Sequence, residues 1–399
     1  MEHKPPAPKI DDQLRMILDE PFPRFSNAEM HRRRQAVEAV MDSAEVHHLL
    51  LCGAGFRGSA VPWLTHWPVT TEVVGVLTPG EKDALFVQYY NHVPMATRLA
   101  TEAEVNWGGA STIECVAQEL ERRGAARQRV GVFGPLGFTQ RDALTNRGCE
   151  IVNLNRQYVG LRLVKSDEEL DWFRIGAALS DLAIDALLDN MRSGLDEHDL
   201  GDICEHAYGP WGGRTVIHFF GVTSMASPNL EVPAQFTSRR IVAPGDVVFT
   251  EISAAFWEHS GQVLRTFTVE TEPTSLYADL HDAAHAAFEA IKDVLRPGAR
   301  AEDIVEAASV IEDAGFTTCD DLTHGYGGGY FPPITGSKSR PNEPIPDFTF
   351  EKNHMLVIQP NVITPDRKAG VQTGECVVIT EDGCQSLHEA PSGLLRVGG

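Results

Sequence analysis

Residues 249–267 read FTEISAAFWEHSGQVLRTF, two runs of β-forming residues on either side of a turn. The segment is strand, turn, strand, and it closes on Arg265-Thr266-Phe267. Two side chains do not suit the buried setting that the others imply: Glu251 and Gln262, near opposite ends of the pair. A carboxylate on a buried strand must be paired or hydrogen-bonded, or its pKa rises, and either condition suits catalysis or the holding of a cation. A buried amide offers donor and acceptor together without adding charge. The hairpin therefore reads as the floor of a polar cleft.

Around it, a helix-rich part followed by antiparallel strands occurs twice. In the first copy Ser166 and Glu169 form a capping box ahead of a long amphipathic helix. EHDLGDICEHAYG (197–209) is a second helix, and RTVIHFF (214–220), DVVFTEISAAF (246–256) and GQVLRTFTVE (261–270) are strands. The second copy has helices at SLYADLHDAAHAAFEAIKDVL (275–295) and AEDIVEAASVIEDAG (301–315), then strands MLVIQPNV (355–362) and ECVVIT (375–380). Two such halves would enclose one cleft. Before them the pattern alternates: HRRRQAVEAVMDSA (31–44) and TIECVAQELERRG (112–124) are helical, while HHLLLCG (47–53), EVVGVLTP (72–79), DALFVQYY (83–90), RVGVFG (129–134) and EIVNL (150–154) are strands. The expected organisation is a loosely ordered, proline- and charge-rich arm over 1–26, free to pack on a partner subunit, an α/β domain over 27–160 and an α+β domain over 161–399.

Composition narrows the partners. With 34 Lys+Arg against 56 Asp+Glu the formal charge is −22, which repels phosphate backbones and anionic lipid, so neither nucleic acid nor membrane is an expected partner. No apolar run is long enough to span a bilayer, and MEHKPPAPKIDDQL lacks a signal-like apolar region, so the expected location is cytoplasmic. The cysteines are odd in number and never in a CxxC arrangement, which suits a reducing compartment and argues against a zinc or disulfide framework.

Seven strings in order, LRLVKSDEELDWFR, APGDVVFTE, GQVLRTF, LRPGARAEDI, THGYG, MLVIQPNV and GVQTGECVVITEDG, resemble the creatinase and Xaa-Pro aminopeptidase (M24) family. The resemblance implies a pita-bread C-terminal domain with pseudo-twofold αβ halves behind a creatinase-type N-terminal α/β domain. It also implies a site where metallopeptidases hold two divalent ions with two Asp, one His and two Glu, because such ions need several anionic oxygens to offset their charge. Those five positions fall on Glu251, Gln262, His324, Gln359 and Gly374. Glu375 could replace the last only through a one-residue shift, since neighbouring strand side chains face opposite ways. Two further peptidase histidines fall near Ala234 and Phe331.

The expectation that follows is a metal-independent, creatinase-like hydrolase cleaving a C–N bond in a small polar molecule, not a true peptidase. No cofactor is expected, with a weakly held Mn, Fe or Zn ion as the alternative, because amide oxygens bring no net charge. His324 is the candidate acid/base, its imidazole titrating near neutrality, with Glu251 and Glu375 beside it. Gln262, Gln359, His218 and Tyr326 are candidate substrate contacts. In the N-terminal domain Arg57, Trp63, Tyr90 and His92 are further candidates, since members of this family are homodimers in which that domain covers the partner's site. Each has an ordinary structural reading as well: a remnant histidine, a Glu251–Arg265 pair, paired amides, a core His218, core aromatics. The competing functions are a metal-supported lyase of the dimethylsulfoniopropionate type, a metal-dependent Xaa-Pro aminopeptidase, and a non-catalytic peptide- or protein-binding pseudoenzyme.

Overall fold

The computed structural model describes residues 6–55, 60–125, 127–341 and 344–398. The chain divides into two compact units, Glu20–Arg162 and Leu163–Gly399, the second of which also includes Met1–Asp19. The segment expected as a loose arm carries a helix, Asp12–Asp19, with Leu14 buried. It is tied to its unit by Lys9–Asp185 at 3.1 Å, by Gln13 Nε2 donating to Asp171 at 3.1 Å, and by Trp211 Nε1 donating to Pro6 O at 3.0 Å.

The Glu20–Arg162 unit is built on strands β1 His48–Gly53, β2 Val73–Leu77, β3 Asp83–Val87, β4 Ala103–Trp107, β5 Arg129–Phe133 and β6 Glu150–Asn153, in the order β4-β3-β2-β1-β5-β6. β1, β2 and β3 are buried along their whole length, which is why they read as unbroken apolar runs rather than alternating ones. The helix Thr112–Arg122 lays Ile113, Val116, Ala117 and Leu120 on Leu50, Val74, Val76 and Val132, a helical-period stripe meeting the sheet. Sequence patterning overextended β3 and missed β4. The chain leaves β3 after Val87 for a 3-10 turn, Tyr90–His92, because Pro94 opens the following helix, Val93–Leu99. AEVNW is short and mostly solvent-facing, so no apolar run marks it.

The Leu163–Gly399 unit contains β7 Arg214–Ser224, β8 Asp246–Phe256, β9 His259–Val269, β10 Thr317–Thr318, β11 Thr323–Tyr326, β12 Tyr330–Thr335, β13 Met355–Ile358, β14 Val362–Ile363, β15 Gly374–Ile379, β16 Cys384–Ser386 and β17 Leu394–Val397. Its main sheet runs β12-β11-β13-β15-β9-β8-β7. β7, β8 and β9 belong to the first half and β11, β12, β13 and β15 to the second. The long helix Asp167–Asn190 starts on the expected capping box, Ser166 Oγ accepting from Glu169 N at 3.2 Å and Glu169 Oε2 from Ser166 N at 3.0 Å. It lies directly on the β8–β9 hairpin because Gly176 and Gly261 leave room: a Cβ on Gly176 would stand 2.3 Å from His259 O, and one on Gly261 2.4 Å from Ala177 Cα. Ser180 Oγ locks the contact, donating to Gly261 O at 2.6 Å and accepting from Ala254 N at 2.8 Å. The stretch 301–315, expected as one helix, is two, Ala301–Ala307 and Val310–Asp313. Ser309 Oγ turns back to Glu306 O at the break, the local competition that makes serine a poor interior helix residue.

The halves meet where β15 pairs β9 through Gly374↔Leu264 and Glu375↔Val263. Gly374 has φ 154°, and a Cβ there would lie 2.0 Å from Ile358 O and 2.9 Å from Gln359 Cα. Only glycine fits this crossing. Among the described residues no helix is long and apolar enough to cross a membrane. Gly374→Ala is expected to destabilise the protein by more than about 1 kcal/mol, read as a lower urea midpoint, whereas Gly160→Ala, at a helical glycine with open space, should be neutral or stabilising.

Candidate active site

At this seam β8 brings Glu251, β9 brings Gln262, β11 brings His324, and the turn after β13 brings Gln359. Gln262 Nε2 donates to Glu251 Oε1 at 2.7 Å and to Gln359 Oε1 at 3.2 Å. The two amides are therefore spent on orienting the carboxylate, one acting as a double donor and the other as its acceptor anchor. Gln262, Gln359 and His324 are buried, and Glu251 is the partly exposed end of the chain of contacts. Burial, reinforced by the charge of Asp320, raises the Glu251 pKa to about 7.

His324 behaves differently from a free imidazole. Its Nδ1–H donates to Gly325 O at 3.0 Å, and the Tyr330 ring lies over it at 4.4 Å between centroids. Burial lowers its pKa to about 4, against the smaller opposing pull of Gly325 O, Asp320 and Gln359. At neutral pH it is an uncharged ring whose other hydrogen bond is with the Gln359 side chain. Of the two groups it is Glu251 whose pKa lies where both protonation states are populated near neutral pH.

Glu375 does not turn into this cluster. It pairs with Val263 in the sheet, so it shares a face with Arg265 and not with Gln262. Its carboxylate accepts from Arg265 Nη2 at 2.5 Å and from Ser386 Oγ at 2.6 Å. Arg265 is thus the partner of Glu375, and the alternative Glu251–Arg265 pair does not form. His218 also faces away: Phe219, not His218, stands opposite Glu251 in β7. His218 Nε2 lies 3.1 Å from the Tyr208 hydroxyl, and burial lowers its pKa to about 4. Tyr326 is walled in with Leu170, Phe173 and Met355, its hydroxyl 2.7 Å from Ser260 Oγ, so it supports the floor and offers no surface to a substrate.

Two acidic residues went unnoticed in the sequence. Asp320 accepts from Asn361 Nδ2 at 3.3 Å and acts electrostatically on both Glu251 and His324. Asp321 accepts from the Tyr330 hydroxyl at 2.9 Å, and burial together with Asp320 pushes its pKa well up. The available signal was their position, adjacent acids a few residues before HGYG in an otherwise apolar approach to the strand.

In the Glu20–Arg162 unit, Arg57 lies outside the described residues. Trp63 is a core residue: it is buried, meets Tyr158 edge-on at 5.8 Å and carries the Arg33 guanidinium 5.1 Å above its ring. Its expected role as a substrate contact is replaced by packing. Tyr90 is exposed beside Trp107, and His92 Nδ1 is 3.0 Å from Thr70 Oγ1.

Residues 171–381 match the profile of metallopeptidase family M24. The chain belongs to that family. A protein of Sinorhizobium fredii named uncharacterized hydrolase/peptidase y4tL is 24% identical over 390 residues, covering 93% of this chain and 97% of its own. Creatinase of a Bacillus species is 22% identical over 306 residues, covering 72% and 73%. The solved prolidase from Pyrococcus furiosus superposes with a TM-score of 0.75 at 17% identity, over 88% of this chain and 99% of its own. This M24 enzyme therefore has the expected architecture, an α/β N-terminal domain and a pita-bread C-terminal domain.

The five positions at which the family's peptidases hold a metal pair do not fit that group here. One carboxylate, two amides already bonded to one another and a neutral imidazole remain, and the fifth position, Gly374, has no space for a side chain. Among the described residues no group of three or more His, Cys, Asp or Glu is arranged to hold a metal ion.

Two outcomes separate site from scaffold. Glu375→Ala leaves Arg265 without its buried counter-ion and is expected to cost about 3 kcal/mol of stability, seen in chemical denaturation, while the variant's turnover per folded molecule is retained. Glu251 has the opposite sign. Its folded pKa of about 7 lies above the ordinary 4.5, so the folded protein holds the extra proton between those values and loses stability as pH rises through that window. Glu251→Gln is expected to be about 3 kcal/mol more stable than wild type at pH 8, with the difference vanishing below pH 4.5 in urea titrations.

Proposed function

We propose that this M24 enzyme hydrolyses a C–N bond in a small polar molecule without a catalytic metal, using Glu251 as the acid/base. The observation that carries the reading is the bonded series Gln359–Gln262–Glu251, in which the metal-ligand positions have become a positioned carboxylate of near-neutral pKa.

Ionised Glu251 takes a proton from water as the water oxygen bonds to the electrophilic carbon. The protonated carboxyl then donates to the departing nitrogen as the C–N bond breaks. Water thus supplies OH to carbon and H to nitrogen, and Glu251 returns to its starting state. Gln262 holds one carboxylate oxygen, leaving Oε2 for the transfer. Asp320 adds negative charge beside Glu251 and His324, so a substrate that brings N–H donors or positive charge, such as a guanidine or amino-acid amide, is favoured over an anionic one.

The relatives' names include peptidases, so the decisive comparison sets guanidines, amides and amino-acid derivatives beside Xaa-Pro dipeptides, in chelator and with added Mn, Zn or Co. Turnover that persists in chelator, rises with pH through about 7 and falls at least about 100-fold in Glu251→Gln supports the proposal. Activity confined to dipeptides and to metal-supplemented enzyme would sink it.

A further inference from the structure

We propose that the N-terminal unit holds a second ligand site, for an alkylated ammonium ion, in the cavity bounded by Tyr89, Tyr90, Trp107 and Glu72. The cavity has a volume of about 510 Å³, within the range of small-molecule sites. Tyr90, Trp107 and Tyr89 are 72%, 50% and 49% exposed. Three large aromatics left open around one concavity are a costly arrangement for a surface with nothing to bind.

Their geometry is that of a corner. Tyr90 and Trp107 stand 5.6 Å apart at 78°, presenting two nearly perpendicular ring walls. Trp107 is held in place by Nε1 donating to Gln88 O at 3.0 Å, and Tyr89 is set edge-on to His92 at 5.3 Å and 85°. Trp107 and Tyr89 are thus held by contacts within the unit. Ring faces carry negative electrostatic potential and attract a cation most strongly when it is poorly hydrated, as an alkylated ammonium is.

Charge points the same way. Glu72 lines the cavity, its Oε2 accepting from Gln140 Nε2 at 2.6 Å; among the described residues its Oε1 accepts no hydrogen bond from a side chain. No Lys, Arg or His is among the described lining residues, and the remaining wall, residues 109–113, carries no ionisable side chain. A compact organic cation can thus be neutralised by one carboxylate while its methyl groups lie on the rings. The proposal does not depend on the proposed hydrolysis.

Choline, titrated calorimetrically into the full chain, is the probe, with its neutral isostere 3,3-dimethylbutan-1-ol beside it. Saturable binding of one choline per chain is expected. It should weaken about fivefold or more in Trp107→Ala and in Tyr90→Ala, less in Trp107→Phe, which keeps a ring face, and not at all in Glu251→Gln. Tyr90 is exposed enough that its removal tests the site without testing the fold, and unfolding midpoints of each variant verify this. The proposal is overturned if choline does not saturate, if the neutral isostere binds as tightly, if Tyr90→Ala binds unchanged, or if Glu251→Gln abolishes binding.

Discussion

The buried guanidinium of Arg265 holds the two halves of the pita-bread domain together. It donates to Gly374 O on β15, to Pro391 O and Ala390 O in the C-terminal segment, and to the Glu375 carboxylate. A planar group with several donors in a fixed fork suits such a junction, where three carbonyls from two stretches of backbone come to one point. Because Arg265 and Glu375 face one side of the sheet, Gln262 and Glu251 are left for the other. Strand parity divides the seam: the Arg265–Glu375 ion pair on one face, the Glu251 carboxylate held by Gln262 on the other.

That division fits a scaffold kept with residues at the five positions that do not suit a metal pair. In the family's peptidases the anionic oxygens are balanced by cations, whereas here the burial of Glu251 is answered by an amide donor and a raised pKa. Neutral amides at 262 and 359 relieve the repulsion that several carboxylates would otherwise feel, and the close approach of Gly374 to Ile358 fills the place of a fifth ligand with backbone. The result is a less charged set of side chains at these positions, with a proton held near neutral pH by Glu251 and, beside it, by Asp321.

Much of this was legible beforehand, for identifiable reasons. The capping box at Ser166, the near-continuous apolar strands and the order of seven strings depend on local sequence, and local chemistry decides them. The grouping of Glu251, Gln262, His324 and Gln359 was also within reach, because alignment to strands fixes which side chains share a face. Glu375 was not: a shift of one residue reverses its direction, and the register of β15 on β9 is a long-range contact. Nor was the state of His324, since an imidazole's pKa depends on what surrounds it and not on its neighbours in the chain. Asp320 and Asp321 escaped notice because acids near a turn usually mean solvent, and only folding buries Asp321 and brings Asp320 within electrostatic reach of Glu251 and His324.

The sequence by itself determined the family resemblance, the doubled αβ plan and the loss of the metal donors, all of which follow from residue identity and order. The tertiary structure alone decided which carboxylate faces the centre, which group holds a proton near neutral pH, and which aromatics are walls and which are core. The physical reason is the same in each case: burial, strand parity and the electrostatic field at an atom are sums over residues far apart in the chain.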